Sequence, residues 1–299
     1  VTRPVRPLAQ ALAREALVLD GGLSNQLADQ GCDLGDALWS ARLLVDAPQE
    51  LARAHAAYVA AGAQVLITGS YQASFEGFAR RGVSAEAATR LFARSVALAR
   101  EAAGERPVWV AASVGPYGAV LADGSEYRGR YGLTTRELAR FHRSRIEALA
   151  AAGPDVLALE TVPDVREAEA LLRAAEGCGL PVWLSYTVRG ELTRAGQPLP
   201  EAFAVASGND QVAAVGVNCC APEDVAFAVA SAAEVTGKPV VAYPNSGERW
   251  SRARGGWEGP ASFDPRLAVP WRAAGARLIG GCCRVGPDRV ARLAAVLAP

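Results

Sequence analysis

The chain has 299 residues, 51% of them hydrophobic and 21% charged, enough to bury a full core as one large domain or two ordinary ones. Lys plus Arg (31) equals Asp plus Glu (31), and this zero formal net charge argues against nucleic acid as the main partner. No apolar run approaches the ~20 residues a bilayer span needs. Residues 1–15 carry Arg3, Arg6 and Arg14 without a continuous apolar stretch, so neither a membrane nor a secretory signal is expected and the chain reads as cytoplasmic.

In chain order, short apolar runs alternate with longer amphipathic ones. Residues 16–20 (ALVLD) read as the first strand, and Pro48 opens a helix that Gly62 closes. Strand 64–68 (QVLIT) precedes a helix capped by Ser84 and ending near Gly104. Strand 108–113 (VWVAAS) leads to Thr134 and Glu137, which fit a capping box for a helix running to about Gly153. Strand 155–160 (DVLALE) is followed by Asp164 and Glu167, a similar start, with the helix ending near Gly177. Then come strand 181–187 (PVWLSYT), a short helix over 201–206, strand 212–219 (VAAVGVNC), and a helix from Pro222 to Gly237. Strands 238–243 (KPVVAY) and 276–281 (ARLIGG) follow, and Pro287 opens the last helix.

The strand runs are nearly continuous in Val, Leu, Ile and Ala, as parallel strands covered on both faces are. Eight strand–helix alternations without a linker predict an α/β fold, a single (β/α)₈ TIM barrel over residues 1–299. No G-x-G-x-x-G follows any strand, so a dinucleotide-binding sheet is the weaker reading. Barrel active sites sit at the C-terminal strand ends, and polar residues gather there. These are Asp20-Gly21-Gly22, Thr68 through Ser70, Tyr71 and Gln72, Glu160-Thr161, Asn218-Cys219, Tyr243-Pro244-Asn245 and Cys282-Cys283. Residues 245–263, with Trp250 and Trp257, read as a long lid loop over the mouth.

Six cysteines stand at 32, 178, 219, 220, 282 and 283, while the only histidines are His55 and His142. Strands six and eight flank strand seven in a closed barrel, so Cys219 converges with Cys282 and Cys283. Two readings stand at this point: three small core thiols, or a metal site. Cys32 and Cys178 read as core, His55 as structural. Cys220 should point away from Cys219. Three thiolates suit Zn²⁺ and leave a fourth position open, which the Asn245 oxygen could fill without substrate. Such a centre, formally −1, is a poor Lewis acid for water but keeps a bound thiol deprotonated and nucleophilic.

The stretches Gly216-Val-Asn-Cys219 and Gly280-Gly-Cys-Cys-Arg284 resemble the homocysteine S-methyltransferases. So do Leu19-Asp-Gly-Gly22, Leu38-Trp-Ser-Ala41, Thr68-Gly-Ser-Tyr-Gln-Ala-Ser74, Gly115-Pro-Tyr-Gly-Ala119, Leu121-Ala-Asp-Gly-Ser-Glu-Tyr127, Leu159-Glu-Thr161 and Tyr243-Pro-Asn245. The resemblance runs from Leu19 to Leu293 and implies a (β/α)₈ barrel in which Cys219, Cys282 and Cys283 bind Zn²⁺ and the zinc binds homocysteine sulfur. It supports Glu160 as the site of the substrate ammonium, against a helix-capping role. Backbone N–H groups at Asp20, Gly21 and Gly22 would approach the amino-acid carboxylate. Ser70, Tyr71 and Gln72 join the substrate-binding candidates, and Trp39, Tyr71 and Tyr117 would wall the pocket, since aromatic faces attract a sulfonium. The partners expected are small molecules: homocysteine and a sulfonium methyl donor, S-methylmethionine ahead of S-adenosylmethionine. The alternatives are a betaine or folate donor, for which the chain shows no further module, or a non-catalytic structural zinc.

Overall fold

The computed structural model describes residues 2–35, 38–251 and 256–298. Eight parallel strands form its sheet: β1 (Leu17–Val18), β2 (Val65–Ile67), β3 (Trp109–Val114), β4 (Val156–Val162), β5 (Val182–Tyr186), β6 (Val212–Asn218), β7 (Val240–Tyr243) and β8 (Ala276–Ile279). Each pairs with its sequence neighbours and β8 returns to β1. A bridge from Leu19 to Val65 joins β1 to β2 and closes the barrel. The expected strands are all present.

Their continuous apolar runs are explained by two-sided burial. Alternate residues point to opposite faces. One set (Leu17, Val65, Trp109, Ala111, Ala158, Trp183, Ala214, Leu278) fills the barrel interior, where alanines make room for two tryptophans. The other set (Val18, Leu66, Val110, Leu157, Leu184, Val215, Ile279) faces the helices. A short helix that the sequence reading missed, Leu8–Leu12, buries Leu8 and Leu12 against the interior set.

Eight helices follow the strands in turn: α1 (Pro48–Ala60), α2 (Ala85–Ala103), α3 (Thr135–Ala151), α4 (Val165–Ala175), α5 (Leu199–Ala204), α6 (Val225–Thr236), α7 (Ala268–Ala273) and α8 (Pro287–Leu297). Ser84 caps α2, and Thr134 with Glu137 forms the capping box of α3. At α4 only half of the expected start is present. Asp164 caps Arg166 N–H, but Glu167 is fully buried and turns instead to the backbone N–H of Tyr117 at 2.6 Å and the His142 ring at 2.9 Å. Inward burial outweighed the local cap because His142 and Tyr117 offered donors that water could not reach. The short helix expected over 201–206 begins two residues earlier, after Pro198.

The expected lid loop contains an antiparallel hairpin, Arg249–Ser251 with Gly256–Glu258, pairing positions 250 and 257. The side chain of Trp250 lies outside the described residues. The stretch before the hairpin is tied to the barrel: Ser246 N–H donates to Cys283 C=O at 2.9 Å, and Glu248 pairs with Arg284 at 3.0 Å.

Candidate active site

The C-terminal strand ends surround a cavity, where the active sites of such barrels sit. Among its walls are Gly21, Gly22, Tyr71, Glu126, Tyr127, Glu160, Cys219, Cys282 and Cys283.

The three cysteines converge as their strand positions require. Their sulfurs lie within 4.8 Å of one another, and those of Cys219 and Cys283 are 3.8 Å apart. A tetrahedral Zn²⁺ with ~2.3 Å bonds to sulfur requires sulfurs about 3.8 Å apart, so the residues fit the ion. The backbone sets the arrangement. Cys219 adopts a left-handed φ of 51°, uncommon for a residue with a Cβ, held by its N–H to Tyr243 C=O and its C=O from the Thr187 hydroxyl. Cys282 N–H donates to Pro244 C=O at 2.7 Å, and Cys283 N–H to Asn245 Oδ1 at 3.1 Å. Asn245 Oδ1 therefore orients a cysteine of the cluster.

The electrostatics also call for a cation. Hydrogen bonds from Cys282, Cys283 and then Tyr127 hold the Cys219 thiol well below its usual range, against the opposing effect of burial. The same shared charge holds Cys282 and Cys283 well above it. A divalent cation at the cluster would favour ionisation of all three thiols. Cys220 is buried in the apolar layer, and neither it, Cys32 nor Cys178 belongs to the cluster.

Glu160 is aimed into the cavity by a bulge. Leu159 and Val162 of β4 align with Leu184 and Tyr186 of β5, so β4 carries one extra residue. Thr161 takes a φ of 59°. Its N–H donates to Asn218 Oδ1, and Asn218 Nδ2 donates to its hydroxyl, both at 2.7 Å. The Glu160 carboxylate accepts from Ser113 Oγ and, at 3.0 Å, from the Tyr243 hydroxyl. Burial pushes it up to about 7; the Ser113 and Tyr243 bonds lower it and the Cys219 charge raises it. It caps no helix, because Asp164 does that.

The remaining candidates divide. Tyr71 lines the cavity, as do Gly21 and Gly22. A Cβ on Gly21 would sit 2.1 Å from Val285 O, and one on Gly22 2.5 Å from Cys282 O. The two glycines thus let the end of β1 press against the cysteine turn, and Gly22 N–H is already bonded to Val285 C=O. Asp20 is not in the wall: its Oδ2 accepts from Ile67 N–H at 2.8 Å, and its buried Oδ1 has no partner among the described residues. Ser70 lies beneath the floor, bonded to Thr68 and Ser113, and Gln72 reaches Ala119 C=O. Tyr117 packs with Tyr131 and Phe141 in a separate cluster and is not brought to the site. The side chain of Trp39 lies outside the described residues. Several wall residues were not expected from the sequence, among them Ser113, Glu126 and Tyr127, the last with its hydroxyl 3.2 Å from Cys219 Sγ. Only the quoted stretch ending at Tyr127 pointed to the last two.

Fold and site define a barrel with a three-cysteine cluster at the strand ends that could hold a metal ion. The chain belongs to the homocysteine S-methyltransferase family, whose model matches residues 17–297. It is 44% identical to homocysteine S-methyltransferase 4 of Zea mays, covering 93% of this chain and 88% of that one. It is 43% identical to the homocysteine S-methyltransferase of Escherichia coli, over 98% of each. The metallated form of the homocysteine methyltransferase MmuM from Escherichia coli superposes with a TM-score of 0.87 at 42% identity, over 97% of this chain and 99% of that one.

Proposed function

We propose that this chain transfers a methyl group from a sulfonium donor, S-methylmethionine ahead of S-adenosylmethionine, to the sulfur of homocysteine, forming methionine. Cys219, Cys282 and Cys283 would hold Zn²⁺. The observation that carries the reading is one cavity containing both a three-sulfur cluster and, facing it from β4, a carboxylate suited to an ammonium. Family membership supports the acceptor, and the metallated relative supports the metal.

Bound zinc would supply a centre at which a substrate thiol loses its proton at neutral pH while its sulfur stays electron-rich. Glu160 would fix the other end of the acceptor by pairing with its ammonium, and a cation there would keep the carboxylate ionised. Ser113 and Tyr243 hold both carboxylate oxygens in place, so the acceptor meets a prepared site. The thiol proton leaves to water. The acceptor sulfur then forms a bond to the methyl carbon as the donor's carbon–sulfur bond breaks, and that electron pair neutralises the sulfonium. Opposite charges cancel as the transition state forms, so a site that excludes water lowers the barrier.

The test is kcat/KM with homocysteine for S-methylmethionine, S-adenosylmethionine, betaine and methyltetrahydrofolate, using zinc-loaded protein. A sulfonium should lead. Betaine or the folate leading by more than about tenfold, ~1.4 kcal/mol of transition-state stabilisation, would overturn the donor.

A further inference from the structure

A second cavity lies outside the first and shares Glu126, Tyr127 and Cys283 with it. Two ionisable side chains in its wall each keep one buried polar atom without a partner among the described residues. Glu126 stands at the junction, with its Oε2 buried and without a partner among the described residues. Arg194 has a buried Nε with no partner among the described residues and stacks its guanidinium 5.4 Å from the centre of the Tyr127 ring. That ring belongs to the tyrosine whose hydroxyl touches Cys219. A buried polar atom left without a partner is costly, and in a cavity wall it is free to meet a ligand's polar or charged group. Glu223 and Asp224 also line this cavity, Asp224 close enough to Arg194 to feel its charge.

On the premise that the inner cavity takes homocysteine, we propose that the outer cavity is the subsite of an α-amino-acid sulfonium, whose positive sulfur pairs with Glu126 and whose carboxylate pairs with Arg194. The positions follow from the chemistry. The transferred methyl must reach the cysteine cluster, so the sulfonium belongs at the junction, beside Glu126. Its amino-acid tail then extends into the outer cavity, where Arg194 offers a planar fork for a carboxylate and the Glu223–Asp224 side accepts an ammonium. A donor without an α-ammonium leaves that acidic side unmatched. Glu126 and Arg194 are thus specificity-determining residues for the donor and take no part in holding the acceptor.

The experiment measures Glu126→Gln, Arg194→Gln and Arg194→Lys beside the wild type, varying S-methylmethionine and homocysteine separately and determining bound zinc. Arg194→Gln should raise the donor KM by about tenfold or more, with Arg194→Lys recovering part of the loss, because only the fork geometry is missing. Glu126→Gln should lower donor kcat/KM by about tenfold or more. Homocysteine KM and zinc content should stay within about twofold of wild type in all three. Donor constants within about twofold of wild type for either Gln variant, or a homocysteine KM that rises in step with the donor KM, would overturn the assignment. A wild-type enzyme that turns over no sulfonium would overturn the donor reading itself, an outcome distinct from unchanged variants of a sulfonium-using enzyme.

Discussion

The side-chain amide of Asn218 bonds Thr161 twice, accepting from its backbone N–H and donating to its hydroxyl, both at 2.7 Å. Asn218 immediately precedes Cys219, and Thr161 immediately follows Glu160. One buried amide therefore fixes the direction of a cysteine of the cluster and of the cavity carboxylate, Glu160. It also accepts from Ser185 Oγ at 2.9 Å. Asn218→Ala would leave the buried Thr161 N–H without an acceptor, at ~1–3 kcal/mol, while the Ser185 hydroxyl keeps Tyr243 as a partner. The expected outcome is a lower Tm together with losses in both metal affinity and homocysteine kcat/KM. Thermal denaturation, chelator competition and steady-state kinetics on one preparation check it; a variant that loses only one of the two functions would show that they are not coupled through this residue.

The Tyr127 hydroxyl lies 3.2 Å from Cys219 Sγ. A hydrogen bond to a ligand thiolate tunes the metal it serves, and such partners are commonly worth 10–100-fold in affinity. Tyr127→Phe removes the hydroxyl and keeps the ring on which Arg194 stacks. Zinc should still bind at one per chain, but a competing chelator should withdraw it at roughly 10–100-fold lower concentration. Unchanged affinity would mean that the contact carries no weight.

Glu160 supplies a pH dependence. Burial, the largest cause, raises its carboxyl to about 7. A folded-state value above the unfolded one means stability that is present at low pH and lost as pH rises through about 7 in the substrate-free protein. Ammonium binding needs the ionised form, so homocysteine kcat/KM should rise with pH through the same window. Glu160→Gln should flatten that limb, lower homocysteine kcat/KM by about tenfold or more, and leave zinc in place. Glu126 is raised by burial into the same range, to about 7, so Glu126→Gln should affect the donor's profile and Glu160→Gln the acceptor's. A Glu160→Gln profile identical to wild type would leave the carboxylate a purely structural role.

The barrel was legible because parallel strands buried on both faces carry apolar residues at every position, and a run such as VLALE has few other uses. The cysteine cluster was legible because closure of the barrel brings strands six and eight to either side of strand seven. What escaped was whatever depends on a single added residue or on a loop. The bulge at Glu160 and Thr161 leaves no mark in composition, so Asn218 read only as a strand end. Asn245 stood at the right strand end, yet its oxygen is directed by the Cys283 amide, a choice that local sequence does not encode. Tyr117 carries the same aromatic signal as Tyr71, but it packs into the aromatic cluster of α3. Glu126 and Tyr127 sit in a connection without periodicity, where only tertiary placement reveals a role.

The central claim is that the three cysteines hold a zinc ion whose fourth position receives the acceptor's sulfur. Extended X-ray absorption at the zinc edge, before and after homocysteine is added, tests it most directly. About three sulfur scatterers near 2.3 Å and one lighter atom are expected, the lighter atom giving way to a fourth sulfur with homocysteine. Loss of zinc is also expected in Cys219→Ala, Cys282→Ala and Cys283→Ala, and its retention in Cys32→Ala and Cys178→Ala. A coordination shell that homocysteine leaves unchanged, or full zinc in a chain lacking both Cys282 and Cys283, would contradict the claim.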